Sequence, residues 1–295
     1  MTNFKSVPDL RADIRKKMDV HTPSLVEILN KFIENAKKHL PEHCTQNEIV
    51  DNLDRIVPIV EKDGRTNYER IFLDRRNLMR GLNCHVIYTV PISMVYSSYA
   101  TNLAEDYGQS VVMPMITIKT KDNKPYVDGI EILKKIVQKR LEKANVQLSL
   151  DNLFESDDAL EELCRKSGGY VRNLMQLMQA SVKNSPKFPI PDRAANRAIS
   201  ELREIYRKSI YAEDWKKLAE VAVTKGISQD SEDREYRELL FRRCVLEYRI
   251  TTSNGMIDYW QDVHPLIESM EEFVSAFVTA LAMQGGEANA GKTGK

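Results

Sequence analysis

Residues 49–56 read Ile-Val-Asp-Asn-Leu-Asp-Arg-Ile. A short apolar run that breaks into Asp51 and Asp54 can present a carboxylate at a strand end, held rigidly for a hard, oxygen-seeking cation such as magnesium. The next apolar run, HVIYTV (85–90), is β-branched and aromatic and stops at Pro91, so it predicts a buried strand with Thr89 near its end. If the two strands lie side by side and parallel, Asp51 and Thr89 share the carboxyl edge, where ligands of such sheets bind. Further on, CRKSGGYVRN (164–173) gives a Gly-Gly turn that opens a helix with Arg172 in its first turn. A guanidinium there could reach a phosphate from a neighbouring helical domain. The chemistry these residues suggest is that of a magnesium-bound phosphate. Each also has a plainer structural reading. These are a solvated strand end in which Asp54-Arg55 caps the following turn, a β-branched strand residue, and a surface arginine on an amphipathic helix.

The elements that must position these groups follow from periodicity. Leu25, Ile28, Leu29, Phe32, Ile33, Ala36 and Leu40 recur at helical spacing between Pro23 and Pro41. Tyr68 to Leu82 predicts a second helix and 92–106 a third. VVMPMITIKT (111–120) predicts another strand. From Asp128 the pattern turns all-helical, with helices expected at 128–143, 157–167, 170–183, 191–209, 212–225 and 232–242. Such a switch suggests a second domain. NSPKFPIPD (184–192), with three prolines, reads as a linker. VLEYRI (245–250) and MIDYWQDV (256–263) flank Asn254-Gly255, a strong hairpin signal. A last helix is expected at 264–283 and a disordered tail at 284–295. In the run LMQLMQ, the leucines and methionines are expected to pack in the core, and His85 and His264 are expected to be structural.

In the order of these pieces the chain resembles the AAA+ and STAND group of P-loop ATPases over roughly residues 20–270. The resemblance implies an α/β fold: a partial AAA+-like parallel-sheet core (1–125), a helical lid (126–186) and a winged-helix domain (187–283), followed by the tail. It makes Asp51 the Walker B aspartate that holds magnesium, Thr89 sensor 1, Arg172 the sensor 2 residue that meets the nucleotide, and Arg80, rather than Arg76, an arginine finger. Asn52 stands where many relatives carry a catalytic acid. An amide can position water but cannot take its proton, so hydrolysis would need Asp54 in that role. The implied cofactors are ATP and magnesium. The family's phosphate loop precedes Walker B, yet residues 1–48 contain no glycine. Weak or absent ATP binding is therefore expected of this chain alone, and ATP hydrolysis only if a phosphate loop is supplied upstream or in trans.

One stretch does fit the loop pattern. Gly286-Glu287-Ala288-Asn289-Ala290-Gly291-Lys292-Thr293 matches G-x-x-x-x-G-K-[ST]. A working loop needs a strand before it and a helix after it. This one follows a predicted helix and has two residues after it, so it reads as a coincidence.

Composition narrows the partners. The 43 basic and 43 acidic side chains cancel, so no whole-chain footprint for nucleic acid or anionic membrane exists. Residues 191–250 hold 13 basic and 12 acidic side chains, which disfavours a DNA-binding winged helix. Protein partners or self-association fit better, and a non-catalytic regulatory module on an ATPase scaffold is the alternative to a switch ATPase. No apolar run approaches the roughly 18 residues of a membrane span. Cys44, Cys84, Cys164 and Cys244 are widely spaced and read as free thiols of a cytoplasmic protein. His39, His43 and Cys44 read as a solvated loop rather than a metal site.

Overall fold

The computed structural model describes residues 8–41, 47–61, 63–144, 148–228 and 234–290. The chain is mixed α/β, with one small parallel and one small antiparallel sheet. It divides into two compact units, Met1–Val111 and Val112–Lys295. Among the described residues no helix is long and apolar enough to cross a membrane.

The first unit starts with α1 (Pro8–Lys37). Pro23 sits inside this helix, which therefore begins earlier than the proline border suggested. Then come β1 (Asn47–Val50) and a helical stretch built of α2 (Asn67–Glu69), a π turn (Arg70–Asp74) and α3 (Arg76–Met79). A capping box starts it: the Thr66 side chain accepts from the Glu69 N–H, and Glu69 Oε2 accepts from the Thr66 N–H at 2.7 Å. β2 (His85–Tyr88), α4 (Ile92–Val95) and α5 (Ala100–Tyr107) complete the unit.

β1 and β2 pair in parallel, with Ile49 opposite Ile87 and Val50 opposite Tyr88. Tyr88 packs on a small core of Tyr68, Phe72, Met94 and Leu103. Phe72, Tyr88 and Tyr107 meet edge to face, with ring centroids 6.1–6.4 Å apart. Tyr107 donates to the Phe72 carbonyl (2.6 Å), and Tyr88 donates to the Met79 carbonyl (2.5 Å). The hydroxyls thus satisfy backbone oxygens inside and just beyond the wide π turn.

The second unit holds α6 (Val127–Lys143), α7 (Asp157–Lys166), α8 (Val171–Lys183), α9 (Asp192–Arg207), α10 (Asp214–Thr224) and α11 (Arg234–Phe241). The antiparallel hairpin β3 (Val245–Thr251) and β4 (Ile257–Val263) and the last helix α12 (Glu271–Ala290) follow. Leu163, Leu174, Leu177 and Ala198 are fully buried, as the apolar stripes of α7, α8 and α9 require. Within β4, Trp260 faces the core and stacks near Tyr248 (5.7 Å), while Tyr259 faces out. The hairpin loop is five residues long, Thr252–Met256, with only Gly255 at positive φ. It is closed by the Thr252 N–H on Met256 O (2.8 Å), so Asn254-Gly255 marks the turn without being a two-residue turn.

Two expectations change. VVMPMITIKT forms no strand of the parallel sheet. Its second half runs extended along β3: the Met115 N–H donates to Glu247 O (2.9 Å) and Thr117 Oγ1 to Arg249 O (2.9 Å). Pro114 lacks an N–H, so a regular ladder is broken there. The proline-rich segment 184–192 is no free linker. Ile190 is fully buried, and its N–H and carbonyl bond to Leu153 O (2.8 Å) and the Glu155 N–H (2.9 Å).

Candidate functional site

The end of β1 is shaped by its backbone. Asn52 adopts the left-handed conformation (φ 67°), which asparagine tolerates better than most residues. Asp51 Oδ1 accepts the Asn52 N–H at 2.7 Å and so steadies that kink. A 3₁₀ turn over Leu53–Arg55 then swings Asp54 back toward β2. On the other strand the Thr89 N–H donates to Val50 O at 3.2 Å, carrying the parallel ladder one residue past β2. Thr89 Oγ1 donates to Asp54 Oδ1 at 3.3 Å. Asp51, Asp54 and Thr89 therefore meet on one carboxyl edge of the sheet, as parallel pairing of the two strands requires.

The donor set there is all oxygen. Asp51 is exposed, while Asp54 and Thr89 are half-buried. Among the described residues no group of three or more His, Cys, Asp or Glu side chains converges on a metal position. Magnesium does not need one, because it keeps several waters and takes one or two carboxylates together with phosphate oxygens. Asp51, with the oxygen not held by Asn52, is the residue that fits a direct ligand. Asp54, bonded to Thr89, fits a partner to a bound water.

The arginines sit elsewhere. In the first unit Arg76 Nη1 lies 3.5 Å from Asp106 Oδ2, and Arg80 Nη1 lies 3.9 Å from Asp106 Oδ1. Both guanidinium groups are more than half exposed, so these pairs contribute little to stability. Arg172 belongs to the second unit, exposed on the first turn of α8.

The glycine turn before Arg172 has a demanding packing role. Gly168 and Gly169 both hold positive φ (68° and 74°). A Cβ on Gly169 would lie 1.9 Å from the Ile116 carbonyl oxygen, and one on Gly168 would lie 2.5 Å from Leu246 Cδ1. Tyr248 donates to the Gly168 carbonyl at 3.0 Å. The turn is thus a notch that receives the extended segment and β3.

Sequence reasoning missed the buried polar interior of the second unit. Asp262, almost wholly buried, pairs with Lys119 (2.8 Å) and Lys225 (2.7 Å), and Lys119 also meets Glu268 at 2.5 Å. The nearby acids hold the Lys119 ammonium above its ordinary range, overcoming its burial. Asn173 Nδ2 lies 2.7 Å from Tyr206 Oη and 2.9 Å from His264 Nε2, all buried. The Leu266 N–H donates to His264 Nδ1 at 3.2 Å. Burial, with smaller contributions from Lys119 and Lys166, lowers the His264 pKa to about 3, so the ring is neutral and structural. The available signal was a lone polar residue in an apolar stripe: Asn173 before Leu174, and Lys119 after Ile118.

The pattern G-x-x-x-x-G-K-[ST] divides at Ala290. Residues 286–290 continue α12, and 291–295 lie outside the described residues. His43 and Cys44 also lie outside them. Cys84, Cys164 and Cys244 are free thiols. Comparison with protein-family models, with curated proteins and with solved structures finds no match to this chain.

Proposed function

We propose that this protein is an ATPase-derived switch of the AAA+/STAND kind, whose first unit carries the magnesium-side half of a nucleotide site. The observation that supports this reading is the shared carboxyl edge: Asp51 follows β1, Thr89 follows β2, and Thr89 Oγ1 reaches Asp54 Oδ1 at 3.3 Å. In this reading Asp51 binds magnesium carried by ATP. Thr89 holds Asp54 in place, and Asp54 positions water in the role that Asn52 cannot fill. Magnesium supplies charge neutralisation of the phosphates. By the same resemblance the helices α6–α8, with Arg172 at the start of α8, correspond to the family's lid and its sensor 2 residue, and α9–α11 with the hairpin and α12 to its winged-helix module. Arg80 serves as a finger toward a neighbouring subunit. The phosphate loop comes from another segment or polypeptide.

Calorimetry with Mg²⁺–ATP tests this reading. We expect weak binding to the chain alone, with a dissociation constant above about 100 µM, and its loss in Asp51→Asn. Tight binding by the chain alone would contradict the missing loop. Binding indifferent to Asp51→Asn would contradict the site.

The second reading is a regulatory module that keeps the scaffold and binds proteins. Large apolar side chains exposed on the first unit, among them Ile28, Phe32, Ile49 and Ile87, favour it, and the two readings are compatible in one switch protein.

A further inference from the structure

The stretch that joins the two units changes character at Pro114. Gly108 ends α5: its N–H donates to Ala104 O (2.9 Å), and φ 87° with ψ −179° turns the chain out of the helix in a conformation that only glycine adopts readily. From Gln109 to Pro114 there is no helix, strand or bridge, and among the described residues these six make no hydrogen bond. Val111 and Met113 are 84% and 87% exposed, more than any other large apolar side chain among the described residues. A backbone without ladder, cap or buried side chain turns at low cost.

The residues that follow form a strap fixed at every position. The Met115 N–H donates to Glu247 O (2.9 Å), the Ile116 N–H to Gly169 O (3.2 Å) and Thr117 Oγ1 to Arg249 O (2.9 Å). Ile118 is buried, and Lys119 pairs with Asp262 and Glu268. Gly129, in the first turn of α6, leaves the space that the Thr117 carbonyl fills: a Cβ there would lie 1.7 Å from that oxygen. The strap therefore holds α6, the turn before α8, β3 and β4 at once. A second buried tie joins the same parts. Asn173 of α8 lies 2.9 Å from His264, just after β4, and the His264 ring lies 4.4 Å from that of Tyr206 on α9.

We propose that residues 109–114 are a hinge, on which the first unit moves as one body while α6–α12 and the hairpin move as another. The strap at 115–119 defines the second body. The helices α6–α8 and the hairpin share this one strand, so neither shifts against the other without breaking several buried polar bonds. The segments that the resemblance assigns to a lid and to a winged helix therefore travel together. Pro114 marks the boundary: it has no N–H to donate, so the pairing of the strap does not run back into the hinge. The motion belongs to the microsecond-to-millisecond range of domain hinges. It is independent of what the carboxyl edge binds, and it gives a switch protein its joint.

Distances between spin labels in the full chain, measured by pulsed electron paramagnetic resonance, test this. The labels go on cysteines at exposed positions: Asn102→Cys on α5, Gln179→Cys on α8 and Tyr259→Cys on β4. Cys44 and Cys84 are replaced by serine, and the buried Cys164 and Cys244 are kept. We expect a narrow distance distribution between positions 179 and 259, and one at least about twice as broad between 102 and 179. Two glycines inserted after Val111 should broaden the second distribution further and leave the melting temperature unchanged, since no backbone bond is interrupted. The same insertion after Ile116 should broaden the first and lower the melting temperature. A distribution across the hinge as narrow as the one within the second unit would overturn the proposal. So would a distribution within the second unit as broad as the one across the hinge, or an insertion after Val111 as destabilising as the one after Ile116.

Discussion

Thr89 Oγ1 donates a hydrogen bond to Asp54 Oδ1 across 35 positions of sequence. Two loops at the ends of adjacent parallel strands are tied by it, and a carboxylate is fixed beside the strand end that carries Asp51. Removing the hydroxyl while keeping the shape should show what the tie contributes. We expect Thr89→Val to lower stability by about 0.5–1.5 kcal/mol, the net value of a half-buried hydrogen bond. Urea unfolding measures it, and a loss well above that range would mean the residue supports more than one bond.

Gly169 separates backbone strain from steric exclusion. Its φ is 74° and a Cβ there would stand 1.9 Å from the Ile116 carbonyl oxygen. Gly108 has a similar φ of 87° with nothing within 4 Å of a Cβ. We expect Gly108→Ala to cost about 1–3 kcal/mol for its backbone alone, since φ 87° with ψ −179° is a conformation that only glycine adopts readily. Gly169→Ala should cost clearly more, on the order of 3 kcal/mol or above, because the extended segment must move away. Paired thermal melts give the comparison. Equal costs would show that the notch relaxes freely.

The buried ion pair at the start of α10 should be costly to halve and cheap to replace. Arg242 Nη1 lies 2.9 Å from Asp214 Oδ2, and the same oxygen accepts the Tyr211 N–H at 2.8 Å. Both side chains are largely buried. Asp214→Ala leaves a buried guanidinium without its anion and should destabilise by about 3–5 kcal/mol. The double change Asp214→Leu with Arg242→Met should recover most of that loss. A double-mutant cycle by denaturant unfolding tests it, and a double variant as unstable as the single would contradict it.

His264 gives the second unit a pH dependence of known sign. Its pKa is about 3 when folded against an ordinary value of 6.5. The unfolded chain therefore binds the proton first as pH falls. The stability this neutral ring provides is complete above about pH 6.5 and drains away toward pH 3, at up to about 1.4 kcal/mol per pH unit. Denaturant midpoints at pH 7, 6 and 5 should fall in step, and His264→Gln should flatten that slope whatever it does to the absolute stability. An unchanged slope would assign the pH dependence to other groups.

Local pattern carried most of the helical architecture. The helices from 127 to 224 begin and end within about three residues of their periodic stripes, because each has an apolar face and a turn signal at its ends. The two strands themselves were legible as apolar runs that break at polar residues, and their parallel pairing puts Asp51 and Thr89 at one edge, whereas the Thr89–Asp54 hydrogen bond was not foreseen. What was not legible depended on distant partners. VVMPMITIKT has strand composition, but its place beside β3 is set by a glycine notch 50 residues away. Ile190 in a proline-rich stretch is buried by a bridge to Phe154. The spacing of the α1 stripe gave its helix, but not that Ile33 would be buried while Ile28 and Phe32 are exposed, because spacing alone carries no information about what covers a stripe.

The claim that the carboxyl edge is a magnesium–nucleotide site can be tested on the chain itself by replacing magnesium with paramagnetic Mn²⁺. In amide spectra recorded with Mn²⁺ and ATP, we expect signals of Val50–Arg55 and Thr89–Val90 to broaden first, and the effect to vanish in Asp51→Asn. Broadening centred instead on the exposed acids of α7 and α9 in the second unit, or undiminished in Asp51→Asn, would contradict it.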